Sequence, residues 1–151
     1  MTHEMKLKDA PFRRMESGEK TVELRLYDEK RQKIRVGDEI VFHHAQSGET
    51  LVRYVLRLRV FPDFASLYAA LPLTKCGYTE AEAESASPAD MYAYYTPEEE
   101  KCHGVLGIEL CADPDVKQYM TEAEAWDYVS RGVFEKYADA FRELAKGPDW
   151  D

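Results

Sequence analysis

Cysteine is scarce in this chain. Cys76, Cys102 and Cys111 are odd in number and have no CxxC spacing, which argues against a disulfide framework and against a zinc site. They read as small buried or half-buried thiols. No apolar run approaches the roughly 20 residues of a bilayer span, so no membrane partner is expected. No apolar signal-peptide core follows Met1–Lys6, and the cytoplasm is the expected compartment. The sequence has no glycine-rich phosphate loop, no metal-ligand constellation, no internal repeat and no low-complexity tract. No metal or cofactor is therefore expected.

Positive charge is also in deficit. Against 29 Asp/Glu there are 20 Lys/Arg, a net charge of -9. Proteins that coat extended duplex DNA rely on broad phosphate neutralisation, so this balance argues against that class. It leaves room for a nucleotide, or a few bases of RNA, in a locally basic groove. Such a region exists, because residues 1–60 carry 13 Lys/Arg against 10 Asp/Glu. With 151 residues, 44% hydrophobic and 12% aromatic, the composition is that of about one folded domain with a single core.

Periodicity divides the chain. Met5–Lys8 alternates as a strand. Asp9 is placed to cap a short helix with Pro11 in its opening turn, ended by Ser17-Gly18. Thr21–Tyr27 reads as a strand with Val22, Leu24 and Leu26 on one face and Glu23 and Arg25 on the other. Glu39–His43, Leu51–Val60 and Gly104–Leu110 are further strands, and Arg53, Arg57 and Arg59 would share one face of the second. Phe64–Leu71 is helical and stopped by Pro72. Thr79, Thr96 and Thr121 each precede a glutamate by three residues, the capping-box spacing. Met91, Tyr92, Tyr94 and Tyr95 form an aromatic cluster that either packs on the sheet or stacks bases. Ala112–Met120 resembles a linker. Beyond it, Gly132 is expected to break one helical run, and Phe134, Tyr137, Phe141 and Leu144 to mark a second amphipathic helix.

The stretch richest in chemistry is Gly18-x-Lys20-x-x-Glu23-x-Arg25, which sets a lysine, a carboxylate and a guanidinium at a helix–strand junction. Lys20 can hold a phosphate or a carbonyl oxygen, and the Arg25 fork suits bidentate contact with a phosphate or a base edge. Glu23 can accept from an exocyclic amine or pair with Arg25. The bland alternative is an ion network that only pins the junction. His43 and His44 are neighbours on a strand, so they face opposite sides and cannot chelate together.

The order of this motif, the Val36-Gly37-Asp38 turn, the β strands, the helices and Glu100-Lys101-Cys102-His103-Gly104-Val105-Leu106-Gly107-Ile108 resembles the ASCH domain family over roughly residues 3–111. The resemblance implies an α+β fold: a small PUA-like β-barrel with flanking helices. Residues 1–111 would form that domain. Residues 112–151 would be a C-terminal helical extension packed on the domain or on a partner subunit, which admits a homodimer. It further implies a cleft between the first helix and the barrel that binds RNA or a small nucleoside or nucleotide. Lys20, Glu23 and Arg25 would line it, with Tyr95 and Glu100 approaching by analogy from the helical side; read from the residues alone, Arg53, Arg57 and Arg59 make a basic stripe that either tracks a phosphate backbone, with Arg53 in the ligand site, or is a solvated outer face. Some members resemble hydrolases. In an acetylcytidine-deacylating branch the lysine matching Lys20 is catalytic, and a threonine stands where this chain has Glu23. The alternatives to recognition are thus a small metal-independent hydrolase acting on an amide or on RNA, with Lys20 and Glu23 catalytic, or a protein-interaction module.

Overall fold

The computed structural model describes residues 1–138, 140 and 142. Two compact units are formed, Met1–Val116 and Lys117–Asp151. In the first, five strands pair in the order β1-β3-β4-β5-β2: β1 (Thr2–Leu7), β2 (Val22–Leu26), β3 (Glu39–His44), β4 (Thr50–Phe61) and β5 (Val105–Cys111). Only the β1–β3 ladder is parallel, and the others are antiparallel. The sheet curls into a half-barrel, the PUA-like α+β fold expected.

Alternation along the strands builds two cores on the two faces. Leu106, Ile108 and Leu110 of β5 pack with Phe12, Ile40 and Phe42. Val105, on the other face, packs with Val22, Leu24 and Leu26 of β2 and with Phe64 and Leu67 of helix α2 (Phe64–Ala70). Burial of such side chains, at about 25 cal/mol per Å², is the main favourable term holding the unit together. The register of β2 on β5 pairs Glu23 with Ile108 and Arg25 with Leu106. Cross-strand partners share a face, so both charged residues project on the side of the first core.

Local chemistry explains most of the remaining elements. Helix α1 (Asp9–Glu16) buries Phe12 and Met15, and Gly18 follows with φ +87°. Its N-cap is Lys8, not Asp9. The Asp9 carboxylate instead meets His44 Nε2 at 2.9 Å. All three threonine capping boxes form, at α3 (Glu80–Glu84), α4 (Pro97–His103) and α5 (Glu122–Lys136). A fourth, at Ser87 with Asp90, starts the 3-10 helix Pro88–Ala93.

Two expectations fail. The β4–β5 ladder shifts register between Val55 and Arg57. This bulge breaks the period of two. Arg53, opposite the buried Ile40, therefore does not share a face with Arg57 and Arg59, which reach towards Glu109. Gly132 does not interrupt α5, which runs unbroken from Glu122 to Lys136. Along α5, Trp126, Val129, Val133 and Phe134 are exposed, as is Tyr137 just beyond it. Phe141 and Leu144 of the expected second helix lie outside the described residues.

Candidate functional site

Two of the three charged residues of the motif are buried, and Arg25 is half-buried. The Lys20 and Glu23 side chains are 5% and 7% exposed, and their tips meet at 3.2 Å, Nζ to Oε1. Arg25 donates to the other oxygen, Oε2, at 3.1 Å. One carboxylate thus bridges two cations. Glu23 Oε1 also accepts from the backbone N–H of Leu24 at 3.0 Å. Burial pushes the Glu23 carboxyl pKa upward, but the charges of Lys20 and Arg25 outweigh it and leave the group below the ordinary glutamate range. Glu23 is therefore an ionised, fully engaged acceptor, a poor general acid and a firm anchor for its neighbours.

Backbone carbonyls complete the frame. Arg25 also donates to Lys6 O at 2.9 Å. Three successive carbonyls of the segment after α2 then accept from the motif region. Lys75 O takes the Thr21 N–H at 2.9 Å, Cys76 O takes Lys20 Nζ at 3.0 Å, and Gly77 O takes the Arg14 guanidinium. Gly77 has φ +112°, and a Cβ there would sit 3.6 Å from Lys20 Nζ. Glycine lets this strap adopt a left-handed turn directly over the ammonium.

The strap, α1, β1 and β2 border an open cavity of about 660 Å³ whose wall includes Lys20, Glu23, Arg25, Tyr95, Arg14 and Lys8. Tyr95 stacks on Phe64, ring centroids 5.9 Å apart. Burial raises the pKa of its hydroxyl. The aromatic cluster divides by role: Met91 and Tyr95 pack on the second core, Tyr92 donates to Glu100, and Tyr94 stays 61% exposed beneath Lys8 Nζ, 5.3 Å from its ring centre. Cys76 also borders the cavity. Burial lifts its thiol to about 11, against the lowering effect of Lys20, so it is a weak nucleophile at neutral pH.

Four of the residues read from the sequence thus come together: Lys20, Glu23, Arg25 and Tyr95. Two do not. Arg53 donates to Val52 O and Met15 O at 2.8 and 3.1 Å, closing the end of α1. Glu100 is buried, accepts from Phe64 N and from the Tyr92 hydroxyl, both at 2.8 Å, and fixes the start of α2. Sequence reasoning missed Arg14, Lys8 and the strap Lys75–Gly77. A faint signal existed in Cys76-Gly77 shortly after Pro72, a turn pair with no helix or strand of its own. Among the described residues no group of three or more His, Cys, Asp or Glu could hold a metal ion, and no helix is long and apolar enough to cross a membrane.

The ASCH domain family profile matches residues 5–136. The chain belongs to the ASCH domain family. The match runs past residue 111 into α5. ASCH domains are a PUA-like family associated with RNA binding. Among solved structures, this ASCH domain is similar to the hypothetical protein PH0355, with 31% identity over 73% of this chain and 97% of that one and a TM-score of 0.62. It is also similar to protein PF0455 from Pyrococcus furiosus, with 32% identity over 73% and 96% of the two chains and a TM-score of 0.56. An ASCH protein of Zymomonas mobilis shares the fold at 12% identity over 85% and 94% of the chains, with a TM-score of 0.52. No curated protein matches the chain.

Proposed function

We propose that this ASCH domain recognises RNA, or a nucleoside or nucleotide, in the cavity at Lys20, Glu23 and Arg25. The observation that carries the reading is the Glu23 carboxylate. It is ionised and buried, and it holds one cation on each oxygen at the wall of the cavity. A volume near 660 Å³ lies in the range of small-ligand sites, about 300–1,000 Å³. Arg25 and Lys20 grip phosphate or carbonyl oxygens, and Tyr94 at the exposed rim offers a ring face to a base. Glu23 acts as a positioning residue: its oxygens already accept from Leu24, Lys20 and Arg25, which favours recognition over acid–base turnover. Arg53 has no part in this reading. The working compartment it assumes is the cytoplasm.

The test is calorimetric titration of the full chain with nucleosides, nucleotides and short single-stranded RNAs, with product analysis of each mixture. Saturable binding without product is expected, weakened at least tenfold in Arg25→Ala. Binding unchanged in that variant would overturn the assignment of the site. Release of an acyl group or cleavage of RNA, lost in Lys20→Met, would replace recognition with hydrolysis.

A further inference from the structure

The triad at the cavity wall has an unbalanced charge. Lys20 and Arg25 contribute two positive charges and Glu23, paired with both, one negative. The sum is +1 in a place where Lys20 is 5% and Glu23 7% exposed. A buried uncompensated charge is costly, and a guest of opposite sign relieves the cost. The hydrogen-bond inventory has the same sense. Lys20 Nζ meets Cys76 O at 3.0 Å and Glu23 Oε1 at 3.2 Å, which leaves at least one of its three protons for a guest. Tyr95 lines the same cavity, and its phenolic hydroxyl is a further donor there. Glu23 has each oxygen engaged. The cavity wall therefore offers donors from Lys20, Tyr95 and Arg25.

Resting on the proposed recognition site, we infer that this wall is a pocket for a phosphate monoester. The terminal phosphate of a nucleotide or of an RNA end enters first, and the base remains at the rim near Tyr94. A monoester carries about -1.5 to -2 charge at neutral pH and three terminal acceptor oxygens, matching three donor side chains and offsetting the positive sum. An internal phosphodiester carries one charge and only two terminal oxygens, so it matches the three donors and the positive sum less well. A neutral nucleoside supplies neither the charge nor the three acceptors. The carboxylates that also border the cavity, Glu82 and Asp90, are exposed and stay hydrated, so the buried wall decides the selection.

The full chain is titrated with adenosine, adenosine 5′-monophosphate, and one six-base single-stranded RNA prepared with a 5′-phosphate, with a 3′-phosphate, or with two hydroxyl ends. At least tenfold tighter binding of the monophosphate than of adenosine is expected, and of one end-phosphorylated RNA than of the hydroxyl-ended RNA if the natural source is an RNA terminus. A preference confined to the mononucleotide assigns the pocket to free nucleotides. Arg25→Gln, which brings the local sum to zero, should reduce the phosphate preference towards one. A tight ligand bound equally with and without its phosphate overturns the monoester pocket and leaves the recognition site standing. Failure of every ligand to bind overturns both. The wild-type ratios alone decide the matter if the variant does not fold.

Discussion

Replacing Glu23 by glutamine tests the central arrangement most directly. The substitution keeps the size of the side chain and removes its charge. Lys20 at 3.2 Å, which is buried, and Arg25 at 3.1 Å, which is half-buried, are then left without their shared counter-charge. Removing one partner from a buried ion pair costs about 3–5 kcal/mol, because the remaining charge stays desolvated. For a chain of this size that corresponds to a fall in Tm of roughly 10–20 °C. The pH dependence has a defined sign. The folded Glu23 carboxyl lies below its reference value of 4.5, so its contribution is fully present above that pH and is lost as pH falls towards the lower folded value. The gap between wild type and Glu23→Gln should therefore be widest near pH 7 and narrow below about pH 4.5. Denaturant titration followed by far-ultraviolet circular dichroism, repeated from pH 7 to pH 3, measures both effects. A variant within about 1 kcal/mol of wild type at pH 7 would refute the reasoning, as would a gap that grows in acid.

Two other outcomes follow from the surrounding contacts. Glu100→Ala strands the buried Phe64 N–H and the Tyr92 hydroxyl; it should destabilise the fold by about 1–3 kcal/mol while ligand affinity in the folded variant stays unchanged, and a selective loss of affinity would place Glu100 in the binding machinery. Iodoacetamide at pH 8 should label the exposed Cys102 first and spare Cys76, whose thiol is held at about 11, until denaturant is added; mapping by mass spectrometry checks the order, and early labelling of Cys76 would contradict its burial.

Much of the architecture was legible from local patterns. The three threonine boxes form because their hydrogen bonds close within four residues, so no distant contact is needed to specify them. The alternation of Val22, Leu24 and Leu26 against Glu23 and Arg25 likewise survives, since a strand's period belongs to the chain itself. Arg53 was misplaced because the bulge near Leu56 depends on how β4 pairs with β5, and nothing in Leu51–Val60 announces a skipped residue. Gly132 was misread because glycine lowers helix propensity by only about 1 kcal/mol, a weak prior in a run otherwise favourable to helix.

The amino-acid sequence alone determined which groups carry the chemistry: a lysine, a carboxylate and an arginine at fixed spacing, and the strands that hold them. Tertiary structure decided their meaning. Pairing of β2 with β5 turned Glu23 and Arg25 towards the first core, and the distant Lys75–Gly77 strap closed over Lys20. Burial of charge depends on what covers it, and the covering residues lie more than 50 positions away along the chain, beyond the reach of any local pattern.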